Sequence, residues 1–268
     1  MAKHISIEKG LGPEGRVAIV RLDRKDKVNA LSPEVMRELR AAALSFEDDL
    51  ETSVVILTGN AQAFSAGFDL KDTERKTARA EGLGAERRSV ATGPRMCRAW
   101  SEMEQVTIAA IEGFCIGGGA ALAVSLDFRI CSRSAHFRIP EVALGLNMSW
   151  GSLPRLVALM GPARAKLAVM LASERISSST ALAWGLAEEV VPDGEALDAA
   201  LHLASRLAEM PPLPLKMTKT TIDRISRAHD DPASHMDLDQ FVLTTKSEDY
   251  TEGVAAFLDK RKPRFRGR

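Results

Sequence analysis

The sequence predicts an α/β fold, and three features of its pattern carry that prediction. Short β-branched runs at residues 17–22 (VAIVRL) and 53–58 (SVVILT) are bounded by turn or charged residues, as strands buried within a sheet are. Between them Val35, Leu39, Ala42, Ala43, Phe46 and Leu50 recur at helical spacing, and this β–α–β order argues for parallel strands joined by a crossover helix. From residue 161 onward the strand signal fades and helical patterns take over.

Taken in order, the first helix starts at Ser32, whose hydroxyl can cap it, and Pro33 suits its first turn. Residues 73–94 (TERKTARAEGLGAERRSVATGP) are charged with glycines in the middle, which reads as a solvated, mobile connection that is also compatible with a lid. Residues 107–111 (TIAAI) and 128–131 (FRIC) are further strands, flanking a glycine run and a helix over 120–126. Beyond them the spacing predicts helices at 163–171, 179–186, 195–209, 214–228 and 233–246, with a sharp break at MPPLPLK, residues 210–216. The chain has no internal sequence repeat, low-complexity segment or flexible linker.

Composition narrows the function classes. Lysine plus arginine equals aspartate plus glutamate at 36 each, so no net field recruits nucleic acid or an anionic membrane surface. No stretch reaches the roughly 18 uninterrupted apolar residues of a membrane span, and the start of the chain, MAKHISIEKG, lacks the apolar region of a secretory leader. Cys97, Cys115 and Cys131 are odd in number, far apart and in apolar surroundings, which suits reduced core thiols in a cytoplasmic protein. His4, His136, His202, His229 and His235 show no metal-binding spacing, and no metal site is expected.

The chemistry concentrates at residues 111–124, IEGFCIGGGAALAV, where three glycines interrupt an apolar run just before an alanine-rich helix. Each glycine costs roughly 0.5–1 kcal/mol relative to alanine inside a regular element, so something must come close to this backbone. A strand exit followed by a helix start leaves unpaired N–H groups at the positive end of the helix dipole, a setting for an anion. The G-x-G-x-x-G spacing of a dinucleotide site is absent and no lysine follows to make a P-loop. Close packing of helix on sheet is the alternative explanation.

A second stretch, AFSAGFDLK at residues 63–71, again sets a glycine among small residues at a strand exit. This pair, in this order and separation, resembles the crotonase or enoyl-CoA hydratase/isomerase superfamily. DKVNALS (26–32), FRIPEVALGL (137–146), ALAWGLAEEVVP (181–192) and EGVAAFLDKRKPRF (252–265) extend the resemblance over nearly the whole chain. It implies a spiral of ββα units over residues 1–195 holding a CoA-thioester site. It also implies a helical region, 196–268, that forms a homotrimer or a dimer of trimers.

In that superfamily two peptide N–H groups hold the thioester oxygen while an enolate forms. Carried over by motif, they are those of Phe68 and Gly118. Losing one such donor elsewhere costs about 2.7–4 kcal/mol of transition-state stabilisation. The resemblance further implies CoA contacts by Lys27, Val28, Ala30 and Gly117, and adenine contacts by the backbone of Ala66, Asp69 and Leu70. Phe257 and Lys260 match positions that reach the CoA of a neighbouring subunit, although the basic KRKPRFRGR tail also reads as a solvated terminus. Coenzyme A enters as part of the substrate, and no separate cofactor is implied.

The proton-transfer residues depart from the pattern. Typical hydratases carry two glutamates; the later one is present as Glu141, and the earlier one is Ala121 here. A single carboxylate can still move a proton between two carbons of an enolate, as a Δ3,Δ2-enoyl-CoA isomerase requires, and some hydroxycinnamoyl-CoA hydratase-lyases keep only the later glutamate. A weakly catalytic CoA-thioester binder is the reading from another class. Asp69, Glu104 and Ser149 are conceivable replacements for the missing acid, and Trp150 stands in a segment that is rich in small residues in typical hydratases, where it should alter the acyl pocket or pack in the core.

Overall fold

The computed structural model describes residues 3–25, 28–172 and 174–268. Its β-branched runs become two sheets that the chain visits alternately. The larger sheet contains β1 (Ile5–Leu11), β2 (Val17–Leu22), β3 (Val54–Thr58), β5 (Val106–Ile111), β7 (Phe128–Ser132) and β10 (Glu189–Val191), in that spatial order. The smaller sheet is ordered β4 (Ala63–Ser65), β6 (Phe114–Ile116), β8 (His136–Arg138) and β9 (Ile176–Ser177). Thus β3 and β4, β5 and β6, and β7 and β8 are successive strand pairs with one member in each sheet, which is the predicted spiral of ββα units. The repeat is architectural, without sequence self-similarity.

Parallel pairing follows from the crossovers. β2 pairs with β3, β3 with β5 and β5 with β7, all parallel, with Ile19 opposite Ile56 and Ile56 opposite Ile108. Only the edge pairings β1–β2 and β8–β9 are antiparallel among the named strands. The helix between β2 and β3 is α1 (Pro33–Leu44), capped by Ser32 Oγ accepting from Val35 N–H. It ends sooner than the spacing predicts: Phe46 is buried beyond its end, but Leu50 is 84% exposed and lies in a bend outside the helix.

The charged stretch after β4 is more ordered than its composition suggests. It forms α2 (Glu74–Glu81) and α3 (Leu83–Val90), followed by α4 (Thr92–Ser101), so the connection expected over 73–94 is built of helices. α4 packs on α1, and the Trp100 indole N–H donates to Leu39 O at 3.1 Å in the fully buried core. After β6 comes α5 (Gly118–Ala123).

The C-terminal half contributes α6 (Ser152–Met160), α7 (Pro162–Met170), α8 (Ser178–Trp184), α9 (Ala196–Ala208), α10 (Pro212–Ser226), α11 (Asp230–Ser234), α12 (Asp237–Thr244) and α13 (Glu248–Leu258). The predicted helix over 233–246 is therefore two helices, and the short strands β9 and β10 lie within a region that reads as helical. α9 presents Ala196, Ala200, Ala204 and Ala208 to the outer face of the large sheet, against Val54, Ile56 and Ile108. The helix immediately after residue 195 thus completes a core begun by the first strands. No helix among the described residues is long and apolar enough to cross a membrane.

Candidate active site

Three parallel neighbours of the small sheet, β4, β6 and β8, end side by side. Ligand sites in α/β sheets form beyond such carboxyl ends. The exit of β4 leads to Phe68, that of β6 to Gly118, and that of β8 through Pro140 to Glu141. Phe68, Gly117, Gly118 and Glu141 all line one apolar cavity of about 220 Å3.

The loop carrying Phe68 is fastened to the turn before α1. Leu31 N–H donates to Gly67 O at 2.8 Å, Asp69 N–H to Leu31 O at 3.2 Å and Ala66 N–H to Val28 O at 2.8 Å. Beneath this lattice Asn29 is fully buried with φ +49°, a conformation asparagine tolerates, and its amide donates to Leu22 O and Ala63 O. Ser65 Oγ donates to Asn29 O and accepts from Gly67 N–H. Phe68 N–H and Gly118 N–H are left without a described acceptor, Gly118 because it begins α5. Asn29 and Ser65 are positioning residues that the sequence reading passed over, though both lie inside motifs it quoted.

Each glycine of the run has its own steric reason. A β-carbon on Gly117 would lie 2.7 Å from Glu141 Oε1; one on Gly118 would lie 2.6 Å from the Trp150 indole; one on Gly119 would lie 2.8 Å from Ser65 Cβ. Gly117 also adopts φ +52°, ψ −116°, outside the regions open to L side chains. The close approach inferred from the sequence is therefore made by three side chains of the protein itself, one of them the acid.

Glu141 stands at the start of a short 3-10 turn (Val142–Leu144), its backbone oxygen accepting from Leu144 and Leu146 N–H. The residue keeps partial exposure, but Oε2 is sealed from solvent with no hydrogen-bond partner. Burial of the charged form dominates and pushes the carboxyl up to about 7, opposed only by a backbone hydrogen bond. A carboxyl poised near neutrality can take and return a proton within one turnover.

The other predicted residues divide. Ala66, Leu70, Trp150 and Phe257 line the same cavity. Val28, Ala30, Asp69 and Lys260 do not, and Lys27 falls outside the described residues. Asp69 is held by Arg24 at 2.6 Å, whereas Glu104 faces a different cavity. Of the three conceivable replacements for the missing acid, only Ser149 reaches the pocket, which Ala121 also lines.

Two guanidinium groups also line it without having been anticipated. Arg75 lies 4.9 Å from the Phe241 ring centroid, 5.8 Å from that of Tyr250 and 6.0 Å from that of Phe68, and Arg138 Nε is buried without a partner. Arg75 lies in the charged stretch 73–94, and Arg138 lies inside FRIPEVALGL, where the sequence reading singles out only Glu141. Cys97, Cys115 and Cys131 are buried free thiols, and desolvation raises all three. Among the described residues no group of three or more His, Cys, Asp or Glu side chains could hold a metal ion.

Comparison with known proteins bears on the family and the fold. The sequence model of the family described as enoyl-CoA hydratase/isomerase matches residues 12–268. A short-chain-enoyl-CoA hydratase of Clostridium acetobutylicum is 33% identical over 254 residues, 94% of this chain and 95% of that protein. A crotonyl-CoA hydratase of Syntrophomonas wolfei is 32% identical, covering 98% of both. Among solved structures, an enoyl-CoA hydratase from Mycobacterium avium subsp. paratuberculosis superposes with a TM-score of 0.86 at 26% identity, covering 99% of this chain and 100% of the other.

Proposed function

Because the chain belongs to the enoyl-CoA hydratase/isomerase family and has the crotonase fold, we propose that it is an enoyl-CoA hydratase-type lyase with a single-glutamate mechanism. The observation that carries this is Glu141, a carboxylate with a buried, unpartnered oxygen, seated against Gly117 in the cavity that Phe68 and Gly118 also line. The thioester carbonyl oxygen accepts from Phe68 N–H and Gly118 N–H, and the double bond lies over the carboxylate.

Ionised Glu141 takes a proton from water as the water oxygen bonds to C3, and the electron pair of the C2–C3 double bond moves into an enolate. The two N–H groups stabilise the charge on oxygen. The protonated carboxyl then delivers the proton to C2, so water is added across the double bond and Glu141 is regenerated. In the reverse direction the same ionised carboxylate removes the C2 proton. CoA binding involves Ala66, Leu70 and Gly117 of the cavity wall, with Lys27, Val28, Ala30 and Asp69 as the family resemblance implies; Phe257, which lines the cavity of its own chain, and Lys260 are the residues which that resemblance assigns to the CoA of a neighbouring subunit.

Ala121 favours one second reading, positional isomerisation of a 3-enoyl-CoA, because nothing at that position can hold the water. Turnover of crotonyl-CoA, a 3-enoyl-CoA and an aromatic enoyl-CoA, with hydrated and isomerised products resolved, separates the two. Hydrated product from crotonyl-CoA is expected; isomerised product alone would place the enzyme with the isomerases, and no turnover at all would leave a thioester binder.

The assembly proposed is a homotrimer or a dimer of trimers in the cytoplasm. Leu213, Met217, Ile222 and Ile225 of α10 and Leu243 of α12 are exposed on the single chain, which supports burial between subunits. Sedimentation at micromolar concentration should give a trimer or hexamer, and a monomer would remove this part of the reading.

A further inference from the structure

Trp150 lines two cavities at once. One is the apolar active-site pocket of about 220 Å3; the other, of about 780 Å3, is charged, with Arg155 paired to Asp230 at 3.3 Å and Arg227 to Asp223 at 3.1 Å. The indole stands between them, against the α-carbons of Gly118 on α5 and Gly93 on α4, at both of which an added β-carbon would overlap it. Glycines at these two positions are what leave room for the ring beside both helices.

The conformation that places it there is unusual. Trp150 has φ +62°, rare for a bulky side chain, and is followed by Gly151 at φ +66°. The turn is held from α12, where Asp237 Oδ2 accepts from Gly151 N–H at 2.9 Å, and from within, where Ser152 Oγ donates to Ser149 O at 2.6 Å. A strained backbone persists only where its surroundings over-determine it.

We propose that Trp150 is the specificity-determining wall of the acyl pocket, closing it off from the charged cavity and so restricting the substrate to short, apolar acyl groups. The inference rests on the enoyl-CoA reading for its substrate class. Beyond the indole lie ion pairs, which disfavour the methylenes of a longer acyl chain, and the indole itself leaves such a chain no path.

The test measures affinity, so that it stands whether or not hydration is observed. Dissociation constants of butyryl-, octanoyl- and dodecanoyl-CoA, none of which can be hydrated, are determined by calorimetry for the wild-type chain and for Trp150→Gly. Glycine accepts the positive φ, so this variant removes the wall while relaxing the backbone. Trp150→Asn is the second variant, asparagine being tolerant of the same conformation.

The wild type should bind butyryl-CoA most tightly and lose affinity with length, and removal of the indole should improve octanoyl-CoA binding about tenfold relative to butyryl-CoA. A wild type that binds dodecanoyl-CoA as well as butyryl-CoA overturns the proposal without any variant. So does an unchanged length profile in a folded Trp150→Gly or Trp150→Asn protein, which would make the indole core packing. Failure of the hydratase reading shows separately, as absent turnover of crotonyl-CoA beside an intact affinity ladder.

Discussion

Replacing Glu141 with glutamine is expected to lower turnover of the preferred enoyl-CoA by about 10²–10⁴-fold while leaving thioester affinity within a few-fold of wild type. The amide keeps the shape of the carboxyl against Gly117 but can neither take the proton of water nor return one to C2. The two backbone donors remain, so residual rate above the uncatalysed reaction is expected. Undiminished turnover in this variant, measured under saturating substrate, would remove Glu141 from the mechanism.

The same substitution should stabilise the protein, because the acid is held where its charge is disfavoured. Burial raises Glu141 from the ordinary 4.5 to about 7, so the folded state binds its proton more tightly than the unfolded state does. Stability is therefore fullest below the ordinary carboxylate value and falls as pH rises through about 7, by up to about 3 kcal/mol. Glutamine lacks this dependence. Its melting temperature should exceed that of wild type above neutrality, with the gap closing in acid.

Substituting alanine for Gly117 is the second change of large expected effect, and it acts through the acid without replacing it. The new methyl would sit 2.7 Å from Glu141 Oε1, closer than a carbon and an oxygen can rest, and the backbone at φ +52°, ψ −116° would be strained by roughly 1–3 kcal/mol. Either the carboxylate or the start of α5 must shift, and a displacement of about 1 Å costs on the order of 10² in rate. Expected are a lower melting temperature and a fall in kcat well beyond what that destabilisation explains, in protein still folded by circular dichroism. Wild-type kcat in a folded Gly117→Ala protein would mean that the contact between acid and glycine has no role in the chemistry.

How far the sequence anticipates these features depends on how local their causes are. Runs such as 17–22 and 53–58 are legible because burial on both faces of a parallel strand demands continuous β-branched residues. The helices at Glu74–Glu81 and Leu83–Val90 are not, because their faces are charged and Val90 and Glu86 are too few inward residues to set a period. β9 and β10, of two and three residues, are too short for any periodicity. Leu50 fits a helical spacing by coincidence, since the helix has already ended at Leu44.

The site divides in the same way. Glu141, Phe68 and Gly118 lie within motifs that the family resemblance singles out, and their strand exits meet because β4, β6 and β8 are neighbours. The close approach at the glycines is legible, but what approaches is not: Trp150, Glu141 and Ser65 come from distant segments. The left-handed turn at Trp150 depends on a hydrogen bond to Asp237, 86 residues away, which no local pattern announces.

The central claim, that one glutamate near neutrality does all the proton transfer, is tested most directly by the pH dependence of kcat/KM for hydration of crotonyl-CoA. The single-carboxylate mechanism starts from ionised Glu141 in both directions, so the rate should rise through one ionisation near pH 7 to a plateau, and that ionisation should vanish in Glu141→Gln. A rate that instead falls as pH rises through 7 would mean that Glu141 acts only as the acid, with another group activating the water, and would contradict the account.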